Sequence, residues 1–134
     1  VCSSDLWNCS GPVSVAPSAA SGAVSVAGAN LTMDNVVLRS NQVNGSFQRN
    51  GGGAYFSRGL LTVSNSIFVD NRADYGGGLN IASPAVKAAI TDTVFQENTA
   101  NNGGGIYMVS AENFMLSRSA LTSWRASPRT ACCL

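Results

Sequence analysis

The chain has 134 residues, a formal net charge of +1, 11% charged side chains and no histidine. So little charge excludes the basic stripe of a nucleic-acid binder. The missing histidine excludes Ser/His and Cys/His nucleophile pairs and imidazole metal sites within this chain. Hydrophobic residues make up 45% but aromatics only 7%, with 14 glycines, a profile that suits a β-rich, turn-rich protein with small side chains.

The chain opens Val1-Cys2-Ser3 without an initiating Met, which suggests a fragment or a processed product. Residues 1–21 are rich in Ala and Ser and contain Pro12 and Pro17; they are expected to form an irregular lead-in that packs poorly. A Cys2–Cys9 loop would suit an oxidising compartment. With Cys132 and Cys133, however, three connectivities exist and the sequence selects none. The vicinal pair matches no zinc spacing. Sequons at Asn8, Asn30 and Asn44 occur about as often as this composition gives by chance. No run of about 18 apolar residues encodes a membrane span.

A repeat then takes over. Leu31-Thr-Met33-Asp-Asn-Val-Val37-Leu38-Arg-Ser-Asn41 recurs as Leu61-Thr-Val63-Ser-Asn-Ser-Ile67-Phe68-Val-Asp-Asn71 and as Ala88-Ala-Ile90-Thr-Asp-Thr-Val94-Phe95-Gln-Glu-Asn98. Apolar residues fall ten, eight, four and three places before each Asn. Each segment is followed by a glycine triplet and an apolar stretch: Gly51–Gly53 before Ala54-Tyr55-Phe56, Gly76–Gly78 before Leu79-Asn80-Ile81, and Gly103–Gly105 before Ile106-Tyr107-Met108. The Asn residues are spaced by 30 and 27 residues and the triplets by 25 and 27. The early excess lies in Val43–Asn50, which is polar and should bulge from one coil as a loop. Gly22-Ala23-Val24-Ser25-Val26 reads as a preceding half coil. A decayed copy follows the third, with Phe114, Leu116, Ala120 and Leu121 at the apolar places and Trp124 where Asn is expected.

Alternating apolar residues such as Leu61/Val63 and Leu79/Ile81 have the period of strands with one buried face. A single unit cannot bury its own face, whereas stacked units can. The expected fold is all-β: a right-handed parallel β-helix, or solenoid, of three to four coils. Residues 22–124 form its repeats, between the lead-in 1–21 and an irregular tail 125–134. Phe68, Phe95 and Leu38 should share a core column. Asn41, Asn71 and Asn98 should form a corner ladder, with Asn tolerating the left-handed conformation there. The triplets should supply positive φ and close backbone approach.

The pairing of Phe68-Val69-Asp70-Asn71 with Gly77-Gly78-Leu79, and of Phe95-Gln96-Glu97-Asn98 with Gly104-Gly105-Ile106, resembles the chlamydial polymorphic outer membrane protein repeat. Leu38-Arg39-Ser40-Asn41 with Gly52-Gly53-Ala54 is a variant, and the resemblance covers roughly residues 22 to 124. It implies a surface-displayed passenger domain, adhesive in some members, and hence a cell-surface or extracellular site, at the outer membrane in a bacterium. Partners would then be a host-cell, matrix or polysaccharide surface, with self-association through open coil edges. The family anchors such passengers with a C-terminal autotransporter barrel. This sequence shows none, and its tail from Arg125 breaks the pattern.

Parallel β-helices of the pectin-lyase-like group also carry enzymes, so the alternative reading is a fragment of a carbohydrate-active enzyme. Glycoside hydrolysis generally uses two carboxylates at a controlled separation. The seven acids are Asp5, Asp34, Asp70, Asp74, Asp92, Glu97 and Glu112, and no two are adjacent. Asp70 and Glu97 share one register position and would stack a coil apart, close enough to attract calcium or raise a pKa. A solvated edge pair beside Arg39 or Arg72 is the simpler reading. The triplets lack the phosphate-loop pattern and a following helix. Tyr55, Asn80 and Tyr107 should form an outward column, where aromatics can stack on sugars or partner surfaces. No catalytic, cofactor-binding or metal-ligating residue is assigned, no cofactor is implied, and the leading function is a non-catalytic structural and adhesive module.

Overall fold

The computed structural model describes residues 7–10, 22–43, 50–83, 86–109, 113–122 and 125–126. Those residues contain no helix and fifteen short strands: β1 (Trp7–Ser10), β2 (Val24–Val26), β3 (Leu31–Asp34), β4 (Val37–Arg39), β5 (Ala54–Phe56), β6 (Leu60–Ser64), β7 (Ile67–Val69), β8 (Leu79–Ile81), β9 (Lys87–Thr91), β10 (Val94–Gln96), β11 (Thr99–Ala100), β12 (Ile106–Met108), β13 (Phe114–Ser117), β14 (Ala120–Thr122) and β15 (Arg125–Ala126). Every strand pair is parallel. Three sheets run the length of the stack, in the orders β1-β3-β6-β9-β13, β4-β7-β10-β14 and β2-β5-β8-β12, and β11 pairs with β15. The fold is a parallel β-solenoid of about three turns.

The register follows the repeat residue by residue. Leu31 pairs with Leu61 and Leu61 with Ala88; Met33 pairs with Val63 and Val63 with Ile90. Leu38, Phe68, Phe95 and Leu121 form one column, and Ala54, Leu79 and Ile106 another. The weakened copies keep this register: Phe114 sits over Ala88, Leu116 over Ile90, and Val24 beneath Ala54. The core is one continuous cluster in which Leu31, Met33, Leu38, Phe56, Leu61, Val63, Leu79 and Ile90 are completely buried. Burial of each large aliphatic or aromatic side chain stabilises the stack by about 1.5–3 kcal/mol.

Three details depart from expectation. Of the four apolar places, the one four residues before the ladder Asn faces outward: Val37 and Val94 are half-buried and Ile67 is 41% exposed. The pleat requires this, because the residues on either side of it point inward. The ladder asparagines themselves do not adopt positive φ. The residue before each does, namely Ser40 (53°), Asp70 (55°) and Glu97 (55°). Finally, β1 and β15 lie in stretches expected to be irregular. β1 extends the first sheet, with Trp7 opposite Leu31 and Cys9 opposite Met33, and β15 pairs with β11. Residues 44–49 of the expected loop, Trp124, Cys2, Cys132 and Cys133 lie outside the described residues.

Candidate functional site

The repeated polar residues divide into those consumed by the fold and those presented outward. Asn41, Asn71 and Asn98 are buried and form the expected ladder. Asn71 Oδ1 accepts from the Asn41 backbone N–H (3.1 Å) and from Asn41 Nδ2 (2.8 Å). Asn98 Oδ1 accepts the matching pair from Asn71 (3.0 and 2.9 Å). The remaining amide hydrogens bond inward, Asn71 Nδ2 to Leu38 O (2.9 Å) and Asn98 Nδ2 to Phe68 O (2.8 Å). These amides are satisfied within the stack and serve the fold rather than a ligand.

A second internal ladder escaped sequence reasoning. Ser66 and Thr93, five places before the ladder Asn, are buried. Ser66 Oγ accepts from the Val36 N–H (3.1 Å) and donates to Ser64 O (2.6 Å). Thr93 Oγ1 donates to Thr91 O (2.8 Å), and its N–H donates to Ser119 Oγ (3.2 Å). The recurrence of a hydroxyl at that place was the available signal, obscured because Val36 fills it in the first copy.

The acids are dispersed along the outer corners. Asp70 and Glu97 occupy equivalent exposed corners of adjacent coils, tied by the Asp70 N–H to Gln96 O bond (3.0 Å). Asp70 Oδ2 accepts from Ser40 Oγ (2.9 Å), and Glu97 Oε1 from Gln96 Nε2 (3.3 Å). Asp34 accepts from Ser64 Oγ (2.6 Å) and Asn65 Nδ2 (2.9 Å); these two bonds hold its carboxyl below the ordinary value. Asp92 takes a two-pronged bond from Arg118 (2.7 and 2.6 Å), which likewise lowers its pKa. Asp74 accepts from Asn101 Nδ2 (3.1 Å). Asp5 and Glu112 lie outside the described residues. Among the described residues, no three His, Cys, Asp or Glu side chains converge as a metal site would require.

The face of β5, β8 and β12 is chemically different. Tyr55, Asn80 and Tyr107 are in direct register across the three strands, but the outward column expected of them is incomplete, because only the two tyrosines keep partial exposure and Asn80 is buried. Beside them runs a column that sequence reasoning missed: Asn50 bridges to Tyr75 and Tyr75 to Asn102. The two columns alternate in opposite phase, so aromatic and amide side chains form a checkerboard over three coils. Tyr75 and Tyr107 meet edge to face with centroids 5.2 Å apart. Asn80 Nδ2 donates to Asn50 Oδ1 (3.1 Å). Asn80 is 2% exposed, and its Oδ1 has no donor. The glycine triplets build this platform, because their backbones stack coil on coil and bring both columns into line; Gly51, Gly52 and Gly53 donate to the carbonyls of Tyr75, Gly76 and Gly77 (2.8–3.0 Å).

Residues 92–108 match the model of the Chlamydia polymorphic membrane protein (Chlamydia_PMP) repeat. No curated protein and no solved structure matches the chain. The matched stretch comprises the Asp92 corner, β10 with Phe95, the ladder Asn98, the triplet Gly103–Gly105 and β12. The same arrangement recurs in the coils built on Asn71 and Asn41. Such a repeat implies a surface or outer-membrane protein with a β-helix fold. This chain is thus a parallel β-solenoid in which one stretch, residues 92–108, is similar to the Chlamydia polymorphic membrane protein repeat.

Proposed function

We propose that the chain is a non-catalytic, adhesive module of a cell-surface protein, holding contact faces on a rigid solenoid. The observation that carries this reading is the division of polar residues just described. The buried amides and hydroxyls are spent on coil-to-coil bonds, and the described carboxylates line the outer corners, each engaged by a neighbouring side chain, with Asp70 and Glu97 exposed on adjacent coils. Glycoside hydrolysis generally uses two carboxylates flanking one bond, whereas the neighbouring Asp70 and Glu97 are both exposed and bonded to Ser40 and Gln96 respectively. The outer faces vary from coil to coil over a constant interior, as expected of a scaffold whose surface carries the function.

Two measurements test the reading. Antibodies raised against the chain should label intact cells of the source organism; labelling that requires permeabilisation would remove the surface assignment. Beads coated with the chain should be retained on cultured animal cells, on matrix proteins or on polysaccharide above the level of albumin-coated beads. Retention equal to albumin on all three would end the adhesive part. Incubation with polygalacturonate should yield no unsaturated products and no new reducing ends.

A further inference from the structure

We infer that the Tyr/Asn checkerboard formed by Asn50, Tyr55, Tyr75, Asn80, Asn102 and Tyr107 binds a neutral polysaccharide chain running along the solenoid axis. This deepens the adhesive reading by naming the ligand class of one face.

Composition comes first. The six positions hold three phenol rings and three carboxamides and no charge. Phenol rings present flat apolar faces with a polar tip and stack against the C–H faces of pyranose rings. Carboxamides both donate and accept, which suits sugar hydroxyls. A platform without charge favours an uncharged ligand, because it offers an anion no partner for its charge.

Geometry selects a polymer. Neighbouring coils lie one strand spacing apart, about 4.8 Å, and the two columns repeat ring and amide in alternation along that direction. A surface that repeats along a line matches a ligand that repeats along a line. The ring zigzag Tyr55–Tyr75–Tyr107 runs along the axis with the half-buried Asn50 and Asn102 beside it, while Asn80 is covered between them, so successive sugar units meet rings first. Tyr55, Tyr75 and Tyr107 are each only half-buried and retain ring surface for contact.

The second, independent observation is Asn80. Its Nδ2 is bonded, but its Oδ1 is sealed from water without a donor. An unpaired buried acceptor costs about 1–3 kcal/mol. Fold stability alone would favour an apolar side chain of similar size there. A ligand hydroxyl that reaches Oδ1 as a tyrosine ring swings aside removes the deficit, so the residue disfavoured by the fold is favoured by binding.

The test titrates the full chain by calorimetry with cellohexaose and chitohexaose, with polygalacturonate as the acidic comparison. The expected result is binding of a neutral hexaose with an affinity unchanged between low and high salt, since no charge is screened. Tyr75→Ala and Tyr107→Ala should each weaken it about tenfold, a typical loss for an aromatic contact residue. Asn80→Leu separates binding from folding. It should leave the melting temperature unchanged or raised while weakening the hexaose. Ile67→Thr, on the adjacent sheet, should change nothing. The inference is overturned if neither hexaose binds, if only polygalacturonate binds and high salt abolishes it, or if the three substitutions leave the affinity intact. Bead retention on cells distinguishes this failure from failure of the adhesive reading. Beads that adhere equally with Tyr75→Ala and are not displaced by hexaose point to a protein partner, leaving adhesion standing and the polysaccharide platform overturned. Hexaose binding by a chain whose beads do not adhere supports the platform and overturns adhesion.

Discussion

Phe68 and Phe95 lie ring on ring, with centroids 4.6 Å apart and planes inclined by 13°. Each is 1% exposed, and each occupies the same place in its own coil. Parallel register imposes this near face-to-face pairing, because a side chain directly above its equivalent inherits its rotamer. Phe95→Ala should therefore destabilise the chain by about 3–5 kcal/mol. A double-mutant cycle with Phe68→Ala should return a coupling of about 0.5–1.5 kcal/mol. Urea titration of the four proteins measures both, and a coupling of zero would mean that the rings contribute area alone.

Asn71 bonds to both of its neighbours in the ladder. Asn71→Ala strips partners from Asn41, Leu38 and Asn98 at once and should cost more than about 2 kcal/mol, since each buried group left unpaired costs about 1–3 kcal/mol. Asn71→Asp should be worse. It keeps the acceptor but replaces the amide donor with a buried charge facing Leu38 O and Asn98 Oδ1. Equal stability of Asn71→Asp and the parent in urea would show that the donor half of the ladder contributes nothing.

Two glycines separate steric from conformational need. A Cβ at Gly77 would sit 2.6 Å from Thr99 O and 2.7 Å from Thr99 N, both backbone. Gly77→Ala should cost about 3 kcal/mol, the upper end for overpacking. Gly28 has φ of 80° but open space around its Cβ position, so Gly28→Ala should cost only about 1–2 kcal/mol. Thermal melts rank the two, and the reverse order would contradict the coil spacing.

Asp34 and Asp92 both have folded-state pKa values below the ordinary 3.8, so each is protonated more readily once the chain unfolds. Their contributions are fully present above the unfolded value and fade as pH falls through the folded one. Stability should be flat with respect to these groups near neutrality and should decline only in acid. Ser64→Ala should move the Asp34 carboxyl back toward its ordinary value, because the Ser64 hydroxyl is the main cause of the shift. Carbon-detected NMR titration checks this, and an unmoved Asp34 midpoint would contradict the 2.6 Å bond.

The asparagine ladder, the Phe column and the stacked triplets were legible because each is an identical residue at an identical place, and parallel register converts identity into contact. The Ser66/Thr93 ladder was harder to read, since Val36, which shares threonine's shape but not its hydroxyl, fills the place in the first copy. The strand at Trp7 lacks both a following Asn and a glycine triplet at the repeat's distances, so only its pairing with Leu31 reveals it. The tyrosine platform was half visible. Tyr55, Asn80 and Tyr107 follow their triplets in plain sequence register. Asn50, Tyr75 and Asn102 stand immediately before theirs at one constant offset, but Asn, Tyr and Asn share no polarity or size that would mark the position as a column.

The space that a side chain would need at Gly52 is taken by the carbonyl of Gly77, and that at Gly77 by the carbonyl of Gly104. Each coil thus finishes the surface of the one before, and the fit does not depend on which coil supplies it. Deleting one whole unit brings an equivalent carbonyl to the same place, whereas deleting half a unit sets a strand where a glycine corner must be. Lineages carrying such genes should therefore differ by whole coils, gaining or losing about 27 residues at a time, and change gradually only in the segments that bulge outward between corners.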